Sequence, residues 1–370
     1  MPNVTLFLCG DVMTGRGIDQ ILRHPCDPRI HEGYLADAID YVRLAERVSG
    51  PIPRGVDDAY IWGDALDELA RMRPDARIIN LETAVTQSED WMAKGINYRM
   101  HPANVGCLTA AAIDCCVLAN NHVLDWGEAG LLETLDALHG AGLRTAGAGT
   151  HREEGQAAAE LPAPGGTRIL VYSLGTPDSG VPPSWEAGAN HPGVDFLADL
   201  TEPSAQRLAE RVRAARRPGD LVIVSIHWGG NWGYRVPHEQ AEFARHLIDA
   251  GAADLVHGHS SHHPKGVEIH CGKLILYGCG DFINDYEGIT GHEQFRADLG
   301  VMYFPRLDAS SGKLIDLELV ALWRRRFRLE RASESDSRWL CGVLNKEGNR
   351  LGTSFELQPG SRFVLTPTTA

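Results

Sequence analysis

The segment Leu118-Ala119-Asn120-Asn121-His122-Val123-Leu124-Asp125-Trp126-Gly127 decides the fold class that this chain is expected to adopt. The apolar run from Val117 to Ala119 predicts a buried strand, and Glu128 to Ala141 places leucines on one helical face. The polar residues between them therefore stand at a strand-to-helix junction. Open α/β sheets bind their ligands at the carboxyl ends of their strands. The segment thus predicts an α/β fold with a functional site around His122.

The same arrangement recurs along the chain. Buried runs are followed by side chains with metal-binding or acid–base chemistry at Asp11, Glu82, Asn121-His122, His227, His259 and Asp281. Because strand ends converge in one crevice of such a sheet, we expect a single shared site. Strands and helices mostly alternate and strands dominate near the end, which predicts a layered α/β fold.

The side chains at these strand ends predict a metal site. Asp11, Glu82 and Asn121 offer oxygen ligands, whereas His227 and His259 offer imidazole nitrogens. Oxygen ligands suit Mg²⁺, Mn²⁺ or Ca²⁺, and added imidazole shifts the preference toward Mn²⁺, Fe or Zn²⁺. We expect these five residues to hold one divalent ion, with Ca²⁺, Mn²⁺ or Mg²⁺ ahead of Zn²⁺. The alternatives are a helix N-cap for Asp11 and a hydrogen-bonded turn for Asn121.

Two imidazole–carboxylate pairs are candidates for proton transfer. His122 is followed by Asp125, and a carboxylate on one imidazole nitrogen leaves the other nitrogen free to move protons. The alternative is that Asp125 caps the helix that begins near Gly127. By topology, His259 and Asp281 are predicted to form a second pair from adjacent strand ends.

Candidate substrate contacts lie in the loops near these strand ends. Trp228 and Trp232 flank a glycine-rich loop and are predicted to line a pocket for an aromatic or peptidic ligand, with core packing as the alternative. Arg16, Arg99 and Arg235 lie near site segments and are candidates for binding an anionic group. Simple surface exposure is the alternative for each arginine.

Bulk properties exclude several classes of protein. The chain has 370 residues, is 43% hydrophobic and 23% charged, and carries a net charge of -14, which argues against a nucleic-acid partner. The start of the chain has no signal-peptide pattern, and no apolar stretch is long enough for a membrane span. The eight cysteines include no Cys-x-x-Cys pair. We therefore expect a cytoplasmic protein with reduced thiols and no membrane partner.

The motifs together resemble a known family. Five segments resemble the CapA-type branch of the calcineurin-like metallophosphatases, a branch named for a poly-γ-glutamate synthesis protein: Gly10-Asp11-Val12-Met13, Asn80-Leu81-Glu82-Thr83, Asn120-Asn121-His122 with Asp125 and Gly127, His227-Trp228-Gly229, and Gly258-His259. The resemblance runs in order from about residue 4 to 285. It implies a calcineurin-like sandwich of two mixed sheets flanked by helices, with a metal site between strand-end loops. We expect a catalytic domain over residues 1–323, with an insertion around 24–60, and a C-terminal extension over 324–370.

The chain departs from the metallophosphatase pattern at three places and from the CapA-branch pattern at one. Met13 stands where a histidine is usual, Asn80-Leu81-Glu82 replaces a Gly-Asp pair, and His259 to His262 has one residue more than Gly-His-x-His allows. These departures favour a single-metal site over a two-metal phosphatase centre. Gly280-Asp281-Phe282 replaces the Gly-Asn-Phe common in the CapA branch, and the added carboxylate suits proton transfer.

The resemblance leads to two enzyme hypotheses. Relatives without a membrane anchor include epimerases of lasso-peptide biosynthesis, and the leading hypothesis is a metal-dependent peptide epimerase. Such an enzyme would invert the α-carbon of the C-terminal residue of a ribosomal precursor peptide by His/Asp proton transfer. A narrower form of the hypothesis makes that residue aromatic. The alternative is a metal-dependent hydrolase of a phosphoester or a glutamyl amide. A binding protein with a degenerate site is the non-enzymatic alternative.

Overall fold

The alternation of apolar residues along the first strand explains the layers of the fold. In the computed structural model, which describes residues 3–366, Leu6 and Leu8 face one hydrophobic core, and Phe7 and Cys9 face another. Successive side chains of a strand point to opposite faces, so a strand that is apolar on both faces lies between two layers.

The helices and strands follow one another in mostly alternating order. The strands are β1 (Asn3–Val12), β2 (Ala76–Leu81), β3 (Ala84–Val85), β4 (Arg99–Met100), β5 (Cys115–Val117), β6 (Arg144–Ala146), β7 (Ala148–Gly149), β8 (Ala159–Pro162), β9 (Arg168–Gly175), β10 (Gly193–Val194), β11 (Leu221–His227), β12 (Leu255–His259), β13 (Val267–His270), β14 (Lys273–Leu276), β15 (Asp281–Ile283), β16 (Leu299–Asp308), β17 (Leu314–Arg325), β18 (Arg328–Arg331), β19 (Phe355–Gln358) and β20 (Arg362–Leu365). The α-helices are α1 (Ile39–Ser49), α2 (Ala65–Met72), α3 (Gly106–Ala110), α4 (Gly127–Gly140), α5 (Arg152–Gln156), α6 (Glu202–Ala215), α7 (His238–Asp249) and α8 (Glu334–Gly348).

Two mixed sheets organise these strands. The larger sheet has the order β19-β20-β17-β16-β1-β2-β5-β6, with β15 also paired to β1 and β18 to β17. The smaller sheet has the order β13-β14-β12-β11-β9-β8. Short ribbons are formed by β3 with β4 and by β7 with β10.

Three hydrophobic cores show how the layers stack. The inner core joins residues of both sheets, such as Leu8 and Ile223, so the sheets pack face to face. One outer core covers the far side of the larger sheet with Leu131 and other helical residues, and another covers the smaller sheet with Leu208 of α6 and Phe243 of α7. The predicted fold class, two mixed sheets flanked by helices, is confirmed.

Strand register brings the polar strand ends together. In the larger sheet β1 and β15 run parallel with Asp11 opposite Asp281, and in the smaller sheet β11 and β12 run parallel with His227 opposite His259. A hydrogen bond of 2.8 Å between His257 Nε2 and the Cys9 carbonyl oxygen joins the two sheets just before these ends. One crevice therefore receives the ends of strands from both sheets.

Two local predictions differ from the structure. The alternative role of Asp11 as a helix N-cap is wrong, because Asp11 lies within β1 and the next helical segment is a single 3-10 turn at Asp19–Ile21; between them, Arg16 takes a left-handed backbone conformation with φ of 48°. The expected boundary between residues 323 and 324 falls inside β17, which pairs with β16, β18 and β20. The C-terminal extension predicted over 324–370 thus adds strands to the larger sheet.

No helix within residues 3–366 is both long enough and apolar enough to cross a membrane.

We predict that Gly10→Ala destabilises the fold at the point where β1 meets β15. A β-carbon at Gly10 would overlap the Gly280 carbonyl oxygen, a backbone atom that cannot move aside cheaply. We expect a loss of about 3 kcal/mol in the free energy of unfolding, measured by urea denaturation. Gly33→Ala is the matched control, because a β-carbon there meets nothing within 4 Å. Equal stability of the two variants would show that the close approach of the strands does not constrain residue 10.

Candidate metal and acid–base site

The predicted strand-end residues come together where the two sheets adjoin, and Glu82, Asn121, His122 and His227 line a cleft of about 200 Å³ there. Asp11 stands one residue before the end of β1, Glu82 follows β2, and His227 and His259 end β11 and β12. The turn between β5 and α4 adds Asn121 and His122. Asp11, Glu82, His227 and His259 are almost completely buried. The side chains lining the cleft include Glu82, Lys94, Asn121, His122, His227, Ser260, His262 and Tyr286.

Four of the predicted metal ligands converge. The Nδ1 atoms of His227 and His259 are 2.8 Å apart, and the Asp11 Oδ1 atom lies 4.0 Å from His259 Nδ1. His227 Nε2 lies 3.0 Å from Asn121 Oδ1. Ligand atoms of Asp11, His227 and His259 all lie within 4.8 Å of one another, which is the spacing that a shared cation requires. Glu82, the fifth predicted ligand, lines the same cleft.

The charges of these groups fit a divalent cation. The Asp11 Oδ2 atom is buried and has no hydrogen-bond partner within residues 3–366. Burial, and then the Asp281 carboxylate, raise the pKa of Asp11 to about 7, and burial with the Asp11 charge raises the pKa of Glu82 well above its usual range. Burial also holds the pKa of His227 and of His259 well below the usual range, so both rings are neutral. Uncompensated carboxylates beside neutral imidazoles are the ligand set that a divalent ion stabilises.

Two asparagines hold the strand ends in place. Asn80 Nδ2 donates to Asp11 Oδ1 at 2.8 Å, and Asn120 Nδ2 donates to Asn80 Oδ1 at 3.0 Å. The Asn120 Oδ1 atom in turn accepts the backbone N–H of His122 at 3.1 Å. Asn120 therefore forms the hydrogen-bonded turn that was the alternative interpretation of this segment, whereas Asn121 faces His227.

The first predicted acid–base pair forms as expected. His122 Nδ1 lies 2.7 Å from Asp125 Oδ2, and the other Asp125 oxygen accepts a hydrogen bond from Lys94 Nζ at 2.7 Å. Burial, assisted by the Lys94 charge, lowers the pKa of His122 to about 4 despite the neighbouring carboxylate. His122 is therefore a neutral imidazole with its Nε2 atom on the cleft side of the pair, 3.7 Å from Glu82 Oε1.

The second predicted pair has a different histidine. Asp281 Oδ1 lies 2.8 Å from His262 Nδ1, so the predicted pairing of Asp281 with His259 is wrong. His259 instead bonds Ser225 Oγ at 2.9 Å and His227, because the register of β11 and β12 turns it toward the smaller sheet. Asn284 Nδ2 donates to the second Asp281 oxygen at 2.6 Å. Burial opposes a charge on His262, but the Asp281 carboxylate outweighs it and raises the pKa of His262.

The His122–Asp125 and His262–Asp281 pairs have opposite pKa shifts on their histidines and are connected through two tyrosines. His122 touches the edge of Tyr98, His262 touches the edge of Tyr286, and the two tyrosine hydroxyl groups lie 2.9 Å apart. When the surroundings lower the pKa of one titratable group and raise the pKa of its neighbour, the two groups are the candidates for the base and the acid of a site. The arrangement places in one cleft a base at His122, whose pKa is lowered to about 4, and an acid at His262, whose pKa is raised.

The predicted substrate contacts are only partly brought to the site. Trp228 is fully buried, stacks on Tyr277 and donates to its carbonyl oxygen at 3.0 Å, so Trp228 is a core residue, as its alternative interpretation held. Trp232 does reach the site, since its ring centroid lies 5.2 Å from that of His262. Arg235 is exposed and does not line the cleft.

The two other arginines are engaged elsewhere. Arg16 is buried in ion pairs with Asp285 and with Glu32, the latter at 3.0 Å, and Arg99 pairs with Glu89 at 2.9 Å and lies over the Trp126 ring. Their guanidinium groups are satisfied within the protein. The structure therefore does not support the predicted anion-binding role of Arg16 and Arg99.

Two residues of the site were missed from the sequence. Lys94 comes from a loop without periodicity, and no short-range pattern connects it with Asp125, 31 positions away. His262 had a signal, because it lies three residues after His259 in the lengthened Gly-His segment. That spacing carries His262 past the end of β12 to Asp281.

Comparisons with known proteins give consistent results. The family described as Bacterial capsule synthesis protein PGA_cap matches residues 5–286. A probable polyglutamine synthesis accessory protein of Mycobacterium tuberculosis is 46% identical over 366 residues, which is 98% of this chain and 96% of that protein. The PGA biosynthesis protein CapA of Bacillus subtilis is 28% identical over 209 residues, 56% of this chain and 52% of that protein. The capsule biosynthesis protein CapA of Bacillus anthracis is 27% identical over 201 residues, 52% of this chain and 45% of that protein.

We predict that Asp11→Asn weakens the binding of Mn²⁺ or Ca²⁺ by at least about 100-fold, because it removes the charge of the unpartnered carboxylate. In the unsubstituted protein, binding should weaken as the pH falls below about 7, where Asp11 takes up a proton, and should level off above that pH. Calorimetric titration across this pH range measures both effects. Asp136→Asn, on α4 outside the cleft, is the control. Unchanged affinity in Asp11→Asn would remove Asp11 from the ligand set.

Proposed function

This chain belongs to the PGA_cap family of bacterial capsule synthesis proteins, and from that premise we propose that it is a metal-dependent hydrolase of a glutamyl amide bond. The observation that carries the proposal is a pair of histidines in one cleft, His122 bonded to Asp125 and His262 bonded to Asp281, beside the buried ligand set of Asp11, His227 and His259. A base and an acid on either side of a bond are what amide hydrolysis requires.

The residues divide the chemistry between them. Asp11, Glu82, Asn121, His227 and His259 would hold the divalent ion, with Ca²⁺, Mn²⁺ and Mg²⁺ as the candidates. When bound, such an ion supplies Lewis-acid polarisation of a carbonyl oxygen.

The two histidines move protons at defined atoms. His122 has its Nδ1 atom bonded to Asp125, so its Nε2 atom takes the proton from an attacking water. His262 has its Nδ1 atom bonded to Asp281, so its Nε2–H gives a proton to the leaving amine nitrogen. The two carboxylates fix the orientation of both rings.

The charges of the cleft favour an amide over a phosphoester. Lys94 is already bound to Asp125, and no arginine of the described chain lines the cleft. The Asp11 and Glu82 carboxylates would balance one divalent ion, and Asp281 is paired with His262, so the cleft has no spare positive charge for a phosphate group that carries two negative charges. A neutral amide needs no such charge.

The relatives agree with a polymer of amide-linked residues. Their names place them in polyglutamine or PGA synthesis, as accessory or biosynthesis proteins. By analogy, the partner proposed for this chain is a peptide or polymer built from glutamate-type residues. A cytoplasmic site of action remains a prediction.

Peptide epimerisation is retained as a second candidate because the two pairs come from different sheets. His122 follows β5 of the larger sheet, and His262 follows β12 of the smaller sheet. A base and an acid from separate elements also suit removal of an α-proton and its return on the other face of the carbon. A C-terminal residue of a ribosomal precursor peptide is the substrate of this second hypothesis.

Incubation of the Mn²⁺-loaded protein in D₂O distinguishes these reactions. The substrates are a capped peptide with a glutamyl amide bond, an uncleavable peptide with an aromatic C-terminal residue, and a phosphate ester. We expect a new amine from the first substrate, detected by mass spectrometry, with no deuterium at the α-carbon. Deuterium without cleavage would replace the proposal by epimerisation, and release of phosphate alone would replace it by phosphoester hydrolysis.

We predict that His122→Ala leaves metal content unchanged and lowers kcat by about 10² to 10⁴-fold, as expected for loss of a general base. His238→Ala is the control, because His238 is an exposed residue at the start of α7. Metal content is measured by elemental analysis and kcat by amine release. Unchanged kcat would exclude His122 from the reaction, and loss of metal would make it a ligand instead.

A further inference from the structure

A second cluster of metal-binding side chains lies at the end of the smaller sheet opposite the cleft. It consists of Asp249, His270 and Cys271, and one ligand atom of each lies within 4.8 Å of those of the other two. Strand β12 runs parallel to β14 and ends in the cleft at His259, so the turn between β13 and β14 lies at the other end of β12. The cluster is therefore separate from the site of the proposed reaction.

The order of the elements brings these three residues together. Helix α7 ends at Asp249 and leads through a short turn into β12, so its carboxyl end lies beside the start of that strand. His270 ends β13 and pairs with Lys273 of β14, and Cys271 and Gly272 form the two-residue turn between the strands. Both turn residues have positive φ, 52° and 79°, as a type I′ hairpin turn requires. A hairpin turn at the edge of the sheet thus meets the end of a helix.

The distances within the cluster fit a tetrahedral ion. Asp249 Oδ1 lies 2.7 Å from His270 Nε2, and Cys271 Sγ lies 3.6 Å from the same nitrogen and 3.7 Å from the same oxygen. A tetrahedral zinc ion with its usual bond lengths holds a sulfur and a nitrogen about 3.5 Å apart. The distance between the oxygen and the nitrogen would open by about 0.6 Å when an ion replaces their hydrogen bond.

The same contacts argue against a catalytic thiol. In a Cys–His–Asp arrangement the carboxylate bonds one ring nitrogen and leaves the other nitrogen to the thiol. Here Asp249 and Cys271 both approach the Nε2 atom of His270, so the carboxylate occupies the nitrogen that the thiol would need. Three ligand atoms that face one point suit a shared cation instead.

The chemistry of the ligands selects a softer cation than the cleft does. Zinc accepts thiolate, imidazole and carboxylate ligands together, whereas Mg²⁺ and Ca²⁺ prefer oxygen ligands. The thiolate of Cys271 and the carboxylate of Asp249 supply the two negative charges that balance Zn²⁺. Asp249 is also the last residue of α7, where the helix dipole attracts a cation. Cys271 is exposed, whereas the other cysteines are buried, so an ion reaches this sulfur from solvent.

We propose that Asp249, His270 and Cys271 form a second metal site, which binds Zn²⁺ and fastens the β13–β14 turn to the end of α7. Three protein ligands leave the fourth position of the tetrahedron to water. Strand β13 is an edge strand of the smaller sheet, so the ion holds down an edge that is paired on one side only. This site is independent of the proposed amide hydrolysis.

Cobalt in place of zinc tests the site, because a thiolate bound to Co²⁺ gives a charge-transfer absorption that oxygen and nitrogen ligands do not give. The unsubstituted protein, kept reduced with a phosphine, is titrated with Co²⁺ and then with Zn²⁺. We expect the absorption to rise to saturation and to vanish when Zn²⁺ displaces Co²⁺. Absence of the absorption, or absorption that Zn²⁺ does not remove, would overturn the proposal.

Variants of the three residues distinguish a built site from a bare thiol. Cys271→Asn should abolish the absorption and keep the turn, because Asn-Gly is a preferred pair in a type I′ hairpin. Asp249→Asn and His270→Gln should each weaken Co²⁺ binding at least about tenfold, since each removes a ligand. His238→Gln is the matched control, because His238 pairs with Glu242 at 3.1 Å on the same helix but outside the cluster.

Two results from the variants would contradict the proposal. Absorption that persists in Cys271→Asn would assign the ion to another cysteine, and full affinity in both Asp249→Asn and His270→Gln would reduce the site to a lone thiol. Thermal unfolding gives a second measurement, because an ion that binds only the folded state raises Tm. Zn²⁺ should raise Tm of the unsubstituted protein more than that of Cys271→Asn, which keeps the same cleft. An equal rise in both would overturn the fastening of the turn.

Discussion

The burial of two facing carboxylates is the constraint on which the site depends. Asp11 and Asp281 stand opposite each other on β1 and β15; His262 pairs with Asp281, whereas within residues 3–366 the Asp11 side chain accepts hydrogen bonds from Asn80 Nδ2 at 2.8 Å and from the Ser260 backbone N–H at 3.5 Å. Burying charge in this way costs free energy unless a counter-charge is supplied. The two sheets keep these residues together because Gly10 lets β15 approach β1 and because His257 ties Cys9 to the smaller sheet. A bound cation would turn this unfavourable arrangement into a stabilising one.

The histidines show how partners, and not residue type, determine chemistry. His257 is fully buried and bonds Ser225 and the Cys9 carbonyl oxygen, so it joins the sheets. His227 and His259 have neutral rings beside Asp11, which suits metal ligation. His122 and His262 each bond a carboxylate, but burial together with the Lys94 charge outweighs Asp125 and lowers the pKa of His122, whereas the Asp281 charge outweighs burial and raises the pKa of His262. Similar pairs therefore provide a base in one case and an acid in the other.

Residues of the site whose positions depend on short-range sequence patterns were predicted correctly. Pairings that depend on the register of strands far apart in the sequence were not. An apolar run followed by a polar residue identified Asp11, Glu82, Asn121 and the strand-end histidines, because a buried strand can be recognised from a few consecutive residues. The layered fold and the CapA-like resemblance followed from the same motifs, and both are confirmed. The partner of Asp281 depends on how β15 docks on β1, which no local pattern encodes, and Lys94 arrives from an irregular loop. Trp228 was misassigned because a tryptophan beside glycines has the same local pattern in a core as in a pocket.

Met13 bears on the type of reaction. It is 1% exposed and stands where the metallophosphatase pattern has a histidine, so a thioether, which is a weak ligand for hard cations, occupies that position. In the proposed one-cation site, the charges of Asp11 and Glu82 would balance the ion and leave no positive charge to neutralise a phosphate ester. An amide needs instead a polarised carbonyl and a protonated leaving nitrogen. The missing ligand at residue 13 and the His262–Asp281 pair therefore both fit the proposed amide hydrolysis better than phosphoryl chemistry.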